Sequence, residues 1–166
     1  MIPIISIVGK SNSGKTTLIE KIIPELKKRG YRIGTIKHDA HRFEIDYPGK
    51  DSYRHFQAGS DTAVICSSEK MALIKRLNRS LSLDELVEKF FDDMDIVITE
   101  GYRAENKPRI EVFRSTVPSE SPCNDEDKRI AFVSNRKLEV DIPQFDWDDV
   151  DGIVNFIEKK FLQNKV

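Results

Sequence analysis

The stretch IPIISIVGKSNSGKTTL, residues 2–18, decides the fold of this chain. Its first part, residues 2–8, is a nearly continuous apolar run with β-branched residues, which predicts a strand buried on both faces of a parallel sheet. Its second part, residues 9–16, matches the pattern GxxxxGK[ST] at every fixed position. A strand, this glycine-rich loop and a helix in direct succession form the context of a phosphate-binding P-loop. The stretch therefore predicts an α/β fold with a triphosphate site after the first strand.

The residue types of this loop fit the binding of phosphate. Glycines permit a tight turn that aims backbone N–H groups at phosphate oxygens, at the positive end of the following helix. Lys15 is expected to neutralise the β and γ phosphates, and the Thr16 hydroxyl to coordinate Mg²⁺. A glycine-rich turn that only closes a strand-to-helix connection is the weaker interpretation of a complete motif. The predicted nucleotide-binding residues are Gly9, Lys10, Ser11, Asn12, Ser13, Gly14, Lys15, Thr16 and Thr17.

Strand and helix signals alternate along the rest of the chain. Apolar residues at helical spacing follow Lys15, and a capping box at Ser82 and Glu85 begins another helix. The pattern predicts a P-loop NTPase-type fold, with a mostly parallel sheet flanked by helices, in a single domain over residues 1–166. A β-hairpin is predicted at 62–75, with its strands at 62–66 and 71–75, and a flexible loop at 114–129.

Glu100 ends the predicted buried strand 95–99. In open α/β sheets ligands lie beyond the carboxyl ends of the strands, so Glu100 is expected to face the same crevice as Lys15. It is the candidate acidic partner of Mg²⁺, together with Thr16. A solvated acid that caps the next turn is the alternative.

The overall charge is nearly balanced, with 27 basic and 28 acidic residues. No global field draws such a chain onto nucleic acid or anionic lipid, so neither nucleic acid nor membrane is an expected partner. The two cysteines, Cys66 and Cys123, suit a reducing compartment better than a disulfide framework. Because the start of the chain shows no leader or membrane-spanning run, we expect a cytoplasmic protein.

A polar segment at residues 38–61 carries the most specific sequence signal outside the P-loop. Long polar insertions in short chains are more often functional than neutral. The segment and its neighbours contain the pieces NSGKTTL (12–18), TIKHDAH (35–41), DYPGKDSYRHFQAG (46–59), TEGY (99–102) and PRIEV (108–112). Together these pieces resemble the MobB family, the GTP-binding adapter proteins of molybdopterin guanine dinucleotide biosynthesis.

The resemblance implies a GTP-binding protein with weak hydrolysis, mainly an accessory to the molybdenum cofactor guanylyltransferase that joins GMP to molybdopterin. GTP and Mg²⁺ are the implied cofactors, and molybdopterin is a further implied partner. It also implies a homodimer, for which the 62–75 hairpin is a plausible intersubunit element. By position, Lys37, His38, Asp39 and His41 line the loop beside the P-loop.

Several roles in the 38–61 segment stay open. His38, Asp39 and His41 fit a metal ion or a pterin phosphate, and equally a solvated loop. Asp39 or Asp46 fits a role in positioning water.

If residues 50–54 are helical, Lys50 and Arg54 share a face suited to anionic phosphates, although a solvated charged face explains them equally well. No catalytic residue is identified, with Gln57 only a distant candidate, so hydrolysis should be slow.

Guanine preference rests on the resemblance alone. The loop after the predicted strand 130–133 reads SNRKL (134–138) and lacks the aspartate of the guanine-reading NKxD motif, although Asn135 and Arg136 are candidates to border a base pocket. Two other functions use the same P-loop. A small-molecule kinase would take Asp39 as its base, and a metal-insertion GTPase would need more Cys and His residues than this chain has.

Overall fold

The structure, a computed structural model, describes residues 1–39, 43–115 and 128–163. Its elements, in chain order, are β1 (Ile4–Val8), α1 (Lys15–Lys28), β2 (Ile33–Lys37), α2 (Asp51–Gln57), β3 (Thr62–Cys66), β4 (Met71–Lys75), α3 (Leu83–Phe90), β5 (Ile96–Glu100), β6 (Arg109–Phe113), β7 (Arg129–Ser134), β8 (Gln144–Phe145), α4 (Val150–Ile157) and a π-helical turn at Glu158–Leu162. They form two compact units, the first Met1–His38 with Leu83–Val166 and the second Asp39–Ser82. A single domain over the whole chain stays a prediction.

The first unit is built on a six-stranded sheet in the order β2-β5-β1-β6-β7-β8. Every neighbouring pair in it is parallel. Strand β1 is central, as the apolar run predicts, because all five of its residues are buried. Parallel strands need crossover connections, and helices supply several of them. The predicted mostly parallel sheet flanked by helices is confirmed.

Helices cover both faces of this sheet. One face packs against α1 and α4, whose buried residues are Leu18, Ile19, Ile22, Leu26, Ile153, Val154 and Ile157. The other face receives Leu83 and Val87 of α3 against Ile4 and Val97. Since all strands point the same way, their carboxyl ends meet at one edge, where the loop after β1 lies.

The second unit contains α2 and a separate two-stranded antiparallel sheet of β3 and β4. The hairpin is confirmed with the predicted strand bounds, and its register pairs Thr62 with Lys75 and Cys66 with Met71. Arg76, just after β4, links the hairpin to α2, because its guanidinium lies over the Phe56 ring and donates to the Phe56 carbonyl at 2.7 Å. Helix α2 buries none of its residues.

The sequence does not predict strand β8, and it leaves helix α2 open as one interpretation of residues 50–54; both elements are short. Most of the predicted flexible loop at 114–129 lies outside the described residues. Within the described part of the chain, no helix combines the length and apolar character needed to cross a membrane.

Candidate functional site

The loop between β1 and α1 turns through backbone conformations that its residues permit. Asn12 and Gly14 have φ angles of 61° and 94°, in the left-handed region that asparagine tolerates and glycine favours. At Gly14 a side chain is also excluded by contact, because a Cβ atom there would overlap the Trp147 ring. Helix α1 then begins at Lys15. The loop is therefore held tightly at its glycine before the helix.

The start of α1 leaves polar groups available to a ligand. Gly14 is the N-cap residue of α1 and has no side chain to accept a hydrogen bond. The N–H groups of the first turn therefore lack the acceptor that an N-cap side chain usually supplies. The Ser13 hydroxyl is buried and has no hydrogen-bond partner among the described residues. Buried polar groups are normally paired, so an anion with several oxygen acceptors fits this cradle.

Lys15 adds a positive charge to the same turn. Its ammonium donates to the Lys10 carbonyl at 2.8 Å, which folds the side chain back over the loop. Burial lowers the pKa of Lys15 below its usual value, Glu100 opposes this change, and the nearby Lys37 adds to it. A bound phosphate would favour the charged form, so Lys15 suits an anionic ligand.

Thr16 and Glu100 meet across the sheet edge. The Thr16 hydroxyl lies 3.0 and 3.1 Å from the two carboxylate oxygens of Glu100. Strand pairing causes this meeting, because β5 lies beside β1 and Glu100 is its last residue. A hydroxyl and a carboxylate are hard oxygen ligands, and Mg²⁺ takes few protein ligands beside phosphate oxygens and water. The pair therefore fits Mg²⁺.

Backbone hydrogen bonds on both sides hold the end of β5 at Glu100 in place. The Gly101 N–H donates to the Ile7 carbonyl at 3.0 Å, and the His38 N–H donates to the Glu100 carbonyl at 3.1 Å. The His38 ring lies 4.7 Å from that of Tyr102. Among the predicted loop contacts, Lys37 and His38 thus belong to the same edge of the sheet as Glu100.

The remaining predicted residues lie either around the loop or in the second unit. The exposed side chains of Lys10, Ser11, Asn12 and Thr17 flank the loop and the first turn of α1. Asp39, Asp46 and Lys50 belong to the second unit, as does Gln57 on α2. Lys50 is the residue before α2, and one Asp46 carboxylate oxygen accepts the Tyr47 N–H at 2.8 Å. His41 lies outside the described residues.

Trp147 is a site neighbour that the sequence did not indicate. It is 8% exposed and lies against Gly14, with the Arg114 guanidinium 5.0 Å from its ring centre. Lys21 of α1 donates to the Trp147 carbonyl at 3.3 Å and to the Asp148 carboxylate at 2.7 Å. The contact joins residues that are far apart in the sequence, so no local pattern predicts it. The single tryptophan of the chain is the sequence feature that could have pointed to it.

No group of three or more His, Cys, Asp or Glu side chains is placed to hold a metal ion in residues 1–39, 43–115 and 128–163. The Thr16 and Glu100 pair is thus a site that needs further ligands from a bound molecule or water.

The family model for MobB, molybdopterin guanine dinucleotide synthesis protein B, matches residues 4–135. The chain belongs to the MobB family. Its role is that of an adapter in molybdopterin guanine dinucleotide biosynthesis. The matched residues include the whole β1 loop, Glu100 and the second unit.

Named MobB relatives agree with this assignment. The chain is 38% identical to the molybdopterin-guanine dinucleotide biosynthesis adapter protein of Haemophilus influenzae, over 95% of this chain and 88% of the relative. It is 34% identical to the protein of the same name from Escherichia coli, over 95% and 92% of the two chains. A crystal structure of molybdopterin-guanine biosynthesis protein B superposes with a TM-score of 0.78 at 33% identity, over 95% of this chain and 99% of the other. Bacillus subtilis MobB superposes with a TM-score of 0.75 at 26% identity, over 98% and 100%.

Proposed function

We propose that this MobB-family chain binds GTP with Mg²⁺ at the loop of residues 9–16 and assists, in the cytoplasm, the guanylyltransferase that joins GMP to molybdopterin. The observation that carries the proposal is the unpartnered cradle at the start of α1, beside the Thr16 and Glu100 pair. GTP supplies the phosphate oxygens that this cradle lacks, and the family supplies the pathway.

Each part of the triphosphate has a partner in the proposal. The N–H groups of the first turn of α1 bind phosphate oxygens, and Lys15 leaves the Lys10 carbonyl to bind the β and γ phosphates. Thr16 and Glu100 would hold Mg²⁺, and the ion would offset the phosphate charge when bound.

Hydrolysis of GTP is slow in this proposal. Glu100 is already engaged by the Thr16 hydroxyl at 3.0 Å, so it serves the metal and not as a base for the attacking water. Without a positioned water, bound GTP persists and acts mainly as a signal for partner binding. This behaviour suits an adapter better than a hydrolytic enzyme.

Calorimetric titration with GTP and Mg²⁺ tests the nucleotide site. Lys15→Ala should weaken GTP binding by about two orders of magnitude, because it removes charge-assisted hydrogen bonds to phosphate. Lys28→Ala is the matched control, since Lys28 is a lysine at the far end of the same helix, paired with Glu25 at 3.1 Å. Equal affinities for the two variants would refute the P-loop assignment.

Co-purification with a molybdopterin guanylyltransferase tests the adapter role. The wild-type chain should retain the enzyme more strongly with a non-hydrolysable GTP analogue than without nucleotide, and Lys15→Ala should lose that difference. Absence of binding in both states would remove the guanylyltransferase from the proposal while leaving GTP binding intact. Addition of molybdopterin to the same assay tests it as a further ligand.

The proposal also includes a homodimer held by the hairpin. Large apolar side chains are exposed on both strands, at Val64, Ile65, Met71 and Leu73. Val64, Met71 and Leu73 share one face of the hairpin, whereas Ile65 lies on the other. Exposed apolar surface of this kind commonly marks a protein interface. Sedimentation velocity should show a dimer that Leu73→Asp converts to a monomer, and a wild-type monomer at every concentration would reject this element.

A further inference from the structure

A second cavity of the first unit, distinct from the P-loop, opens at the same edge of the sheet. It measures about 480 Å³ and is lined by Ser134, Asn135, Arg136, Lys137, Gln144, Phe145 and Asp146. These residues lie at and just beyond the carboxyl ends of β7 and β8. The volume falls within the range of about 300–1,000 Å³ that is typical of small-molecule sites.

The cavity stands at a suitable separation from the P-loop. Strand β7 is two places from β1 in the sheet. Neighbouring strands are about 4.8 Å apart, so the two strand ends are about 10 Å apart. The ribose and α phosphate of a nucleotide bridge a gap of this size. A nucleotide whose triphosphate lies in the P-loop is therefore long enough for its base to reach this cavity.

Direct contacts also join the cavity wall to the P-loop. Asp146 lines the cavity, and the next residue, Trp147, lies against Gly14. Lys21 of α1 also holds this segment, because its ammonium donates to the Trp147 carbonyl. The position of Asp146 is thus fixed relative to the phosphate loop.

Most polar side chains of the cavity are already used within the protein. The Asn135 amide accepts the Ser115 N–H and donates to the Ser115 hydroxyl, both at 3.0 Å. The Gln144 amide accepts the Leu138 N–H at 2.8 Å and donates to the Leu138 carbonyl at 2.7 Å. These contacts fix the orientation of both amides and leave each with one N–H and one oxygen lone pair beyond them.

Asp146 supplies the carboxylate among the residues that line the cavity. One of its carboxylate oxygens accepts the Asp148 N–H at 3.0 Å. The other oxygen has no partner among the described residues, and the side chain is exposed to the cavity's solvent. An ionised carboxylate accepts hydrogen bonds and cannot donate them.

We propose that this cavity holds the guanine base and that Asp146 selects it, by accepting hydrogen bonds from N1–H and the 2-amino group. Adenine presents a bare N1 acceptor at the corresponding position, which a carboxylate repels. The aspartate comes from the loop after β8, which explains why the loop after β7 needs no NKxD sequence. The inference rests on the proposed GTP site and adds its base specificity.

The proposal predicts that Asp146→Asn changes the base preference of the site from guanine to xanthine. The variant keeps the oxygen that accepts the Asp148 N–H, and it replaces the uncommitted acceptor by an amide donor. Xanthine carries an oxygen where guanine carries its 2-amino group, so the new donor matches it. GTP affinity should fall about tenfold or more, and XTP affinity should rise about tenfold or more.

The titrations use GTP, XTP and ATP with Mg²⁺, followed by the fluorescence of Trp147, the chain's only tryptophan. Asp141→Asn is the matched control, an exposed aspartate in the neighbouring connection between β7 and β8 that does not line the cavity. It should retain the wild-type preference for GTP.

The outcomes separate the inference from the function beneath it. Retained GTP preference in Asp146→Asn, or equal losses for all three nucleotides, overturns the role of Asp146 while the GTP site stands. Failure of the wild-type chain to bind any of the three nucleotides overturns both.

Discussion

The two units of this chain bury their apolar residues to very different extents. In the first unit, the central strand β1 is buried along its whole length between helices on both faces. In the second unit, the strands β3 and β4 leave Val64, Met71 and Leu73 exposed. The first unit therefore contains its own hydrophobic core, whereas the hairpin presents apolar surface that a partner would cover.

The difference suggests a division of labour. The packed sheet and the start of α1 hold Lys15, Thr16 and Glu100 in fixed positions, as the proposed nucleotide site requires. Exposed β surface suits association, which the proposed homodimer uses. Matched substitutions in the two units test whether this difference in burial has the consequences expected for stability.

Replacement of two glycines of similar φ by alanine should give the largest difference in the free energy of unfolding between the two units. Gly14 has a φ of 94° and contacts Trp147, whereas Gly49 of the second unit has a φ of 88° and nothing near its missing side chain. Gly49→Ala should lower the free energy of unfolding by about 1 kcal/mol, the cost of a left-handed residue. Gly14→Ala should cost about 3 kcal/mol, because overlap with Trp147 adds to that strain.

Urea unfolding followed by circular dichroism measures both free energies. If Gly14→Ala costs no more than Gly49→Ala, Trp147 does not restrict the phosphate loop. GTP titration of folded Gly14→Ala provides a second measurement of the same contact, since a displaced loop should bind nucleotide weakly.

Valine truncation tests the difference in burial directly. Val133 of β7 is 0% exposed and Val64 of β3 is 50% exposed. Val133→Ala should lower the free energy of unfolding by about 2 kcal/mol, through lost burial and the cavity left behind. Val64→Ala should change it by less than about 0.5 kcal/mol in the dilute chain.

The dependence of stability on protein concentration tests whether a second copy of the chain covers the hairpin. If a second copy packs on Val64, the effect of Val64→Ala on the unfolding midpoint should grow as the protein is concentrated, because dimerisation stabilises the folded state by mass action. A small effect at all concentrations would leave Val64 exposed and remove the hairpin from the interface.

A buried hydroxyl pair in the first unit offers a third, smaller test. Thr99 of β5 donates to the Ser6 hydroxyl of β1 at 2.9 Å, and the two residues are at most 1% exposed. Ser6→Ala should cost about 2 kcal/mol, because it leaves the Thr99 hydroxyl buried without an acceptor. The double variant Ser6→Ala with Thr99→Val should be more stable than Ser6→Ala alone. Additive losses in thermal unfolding would mean that the two hydroxyls act independently.

Local patterns predicted much of the fold. The apolar run 2–8 predicted the central strand, and the strand bounds of the hairpin were predicted correctly because polar residues separate two short apolar runs. Strand β8 was missed, since a two-residue strand carries no periodicity. Helix α2 was left open because it has no buried face to impose a pattern.

The candidate site was predictable where its residues are close in sequence. The P-loop motif is local, and the meeting of Thr16 with Glu100 followed from the rule that parallel strands end at one edge. The contact between Gly14 and Trp147 depends on how the end of the chain packs, as does the position of Asp146. Such contacts follow from tertiary packing, which a single sequence without local pattern does not show.

The smallest predicted effect concerns a polar network in the first unit and appears as a pH dependence. The Tyr31 hydroxyl donates to the Glu158 carboxylate at 2.7 Å, and the Arg29 guanidinium donates to it at 2.9 Å. Both contacts favour the ionised carboxylate and lower the pKa of Glu158 from its ordinary value. The unfolded chain therefore binds a proton more readily, so this contribution to stability is present above about pH 4.3 and is lost as the pH falls through the lower folded value. Unfolding titrations across that acidic range should show a flatter pH dependence for Glu158→Gln than for wild type, with Tyr31→Phe in between, and superimposable profiles would mean that the network adds nothing.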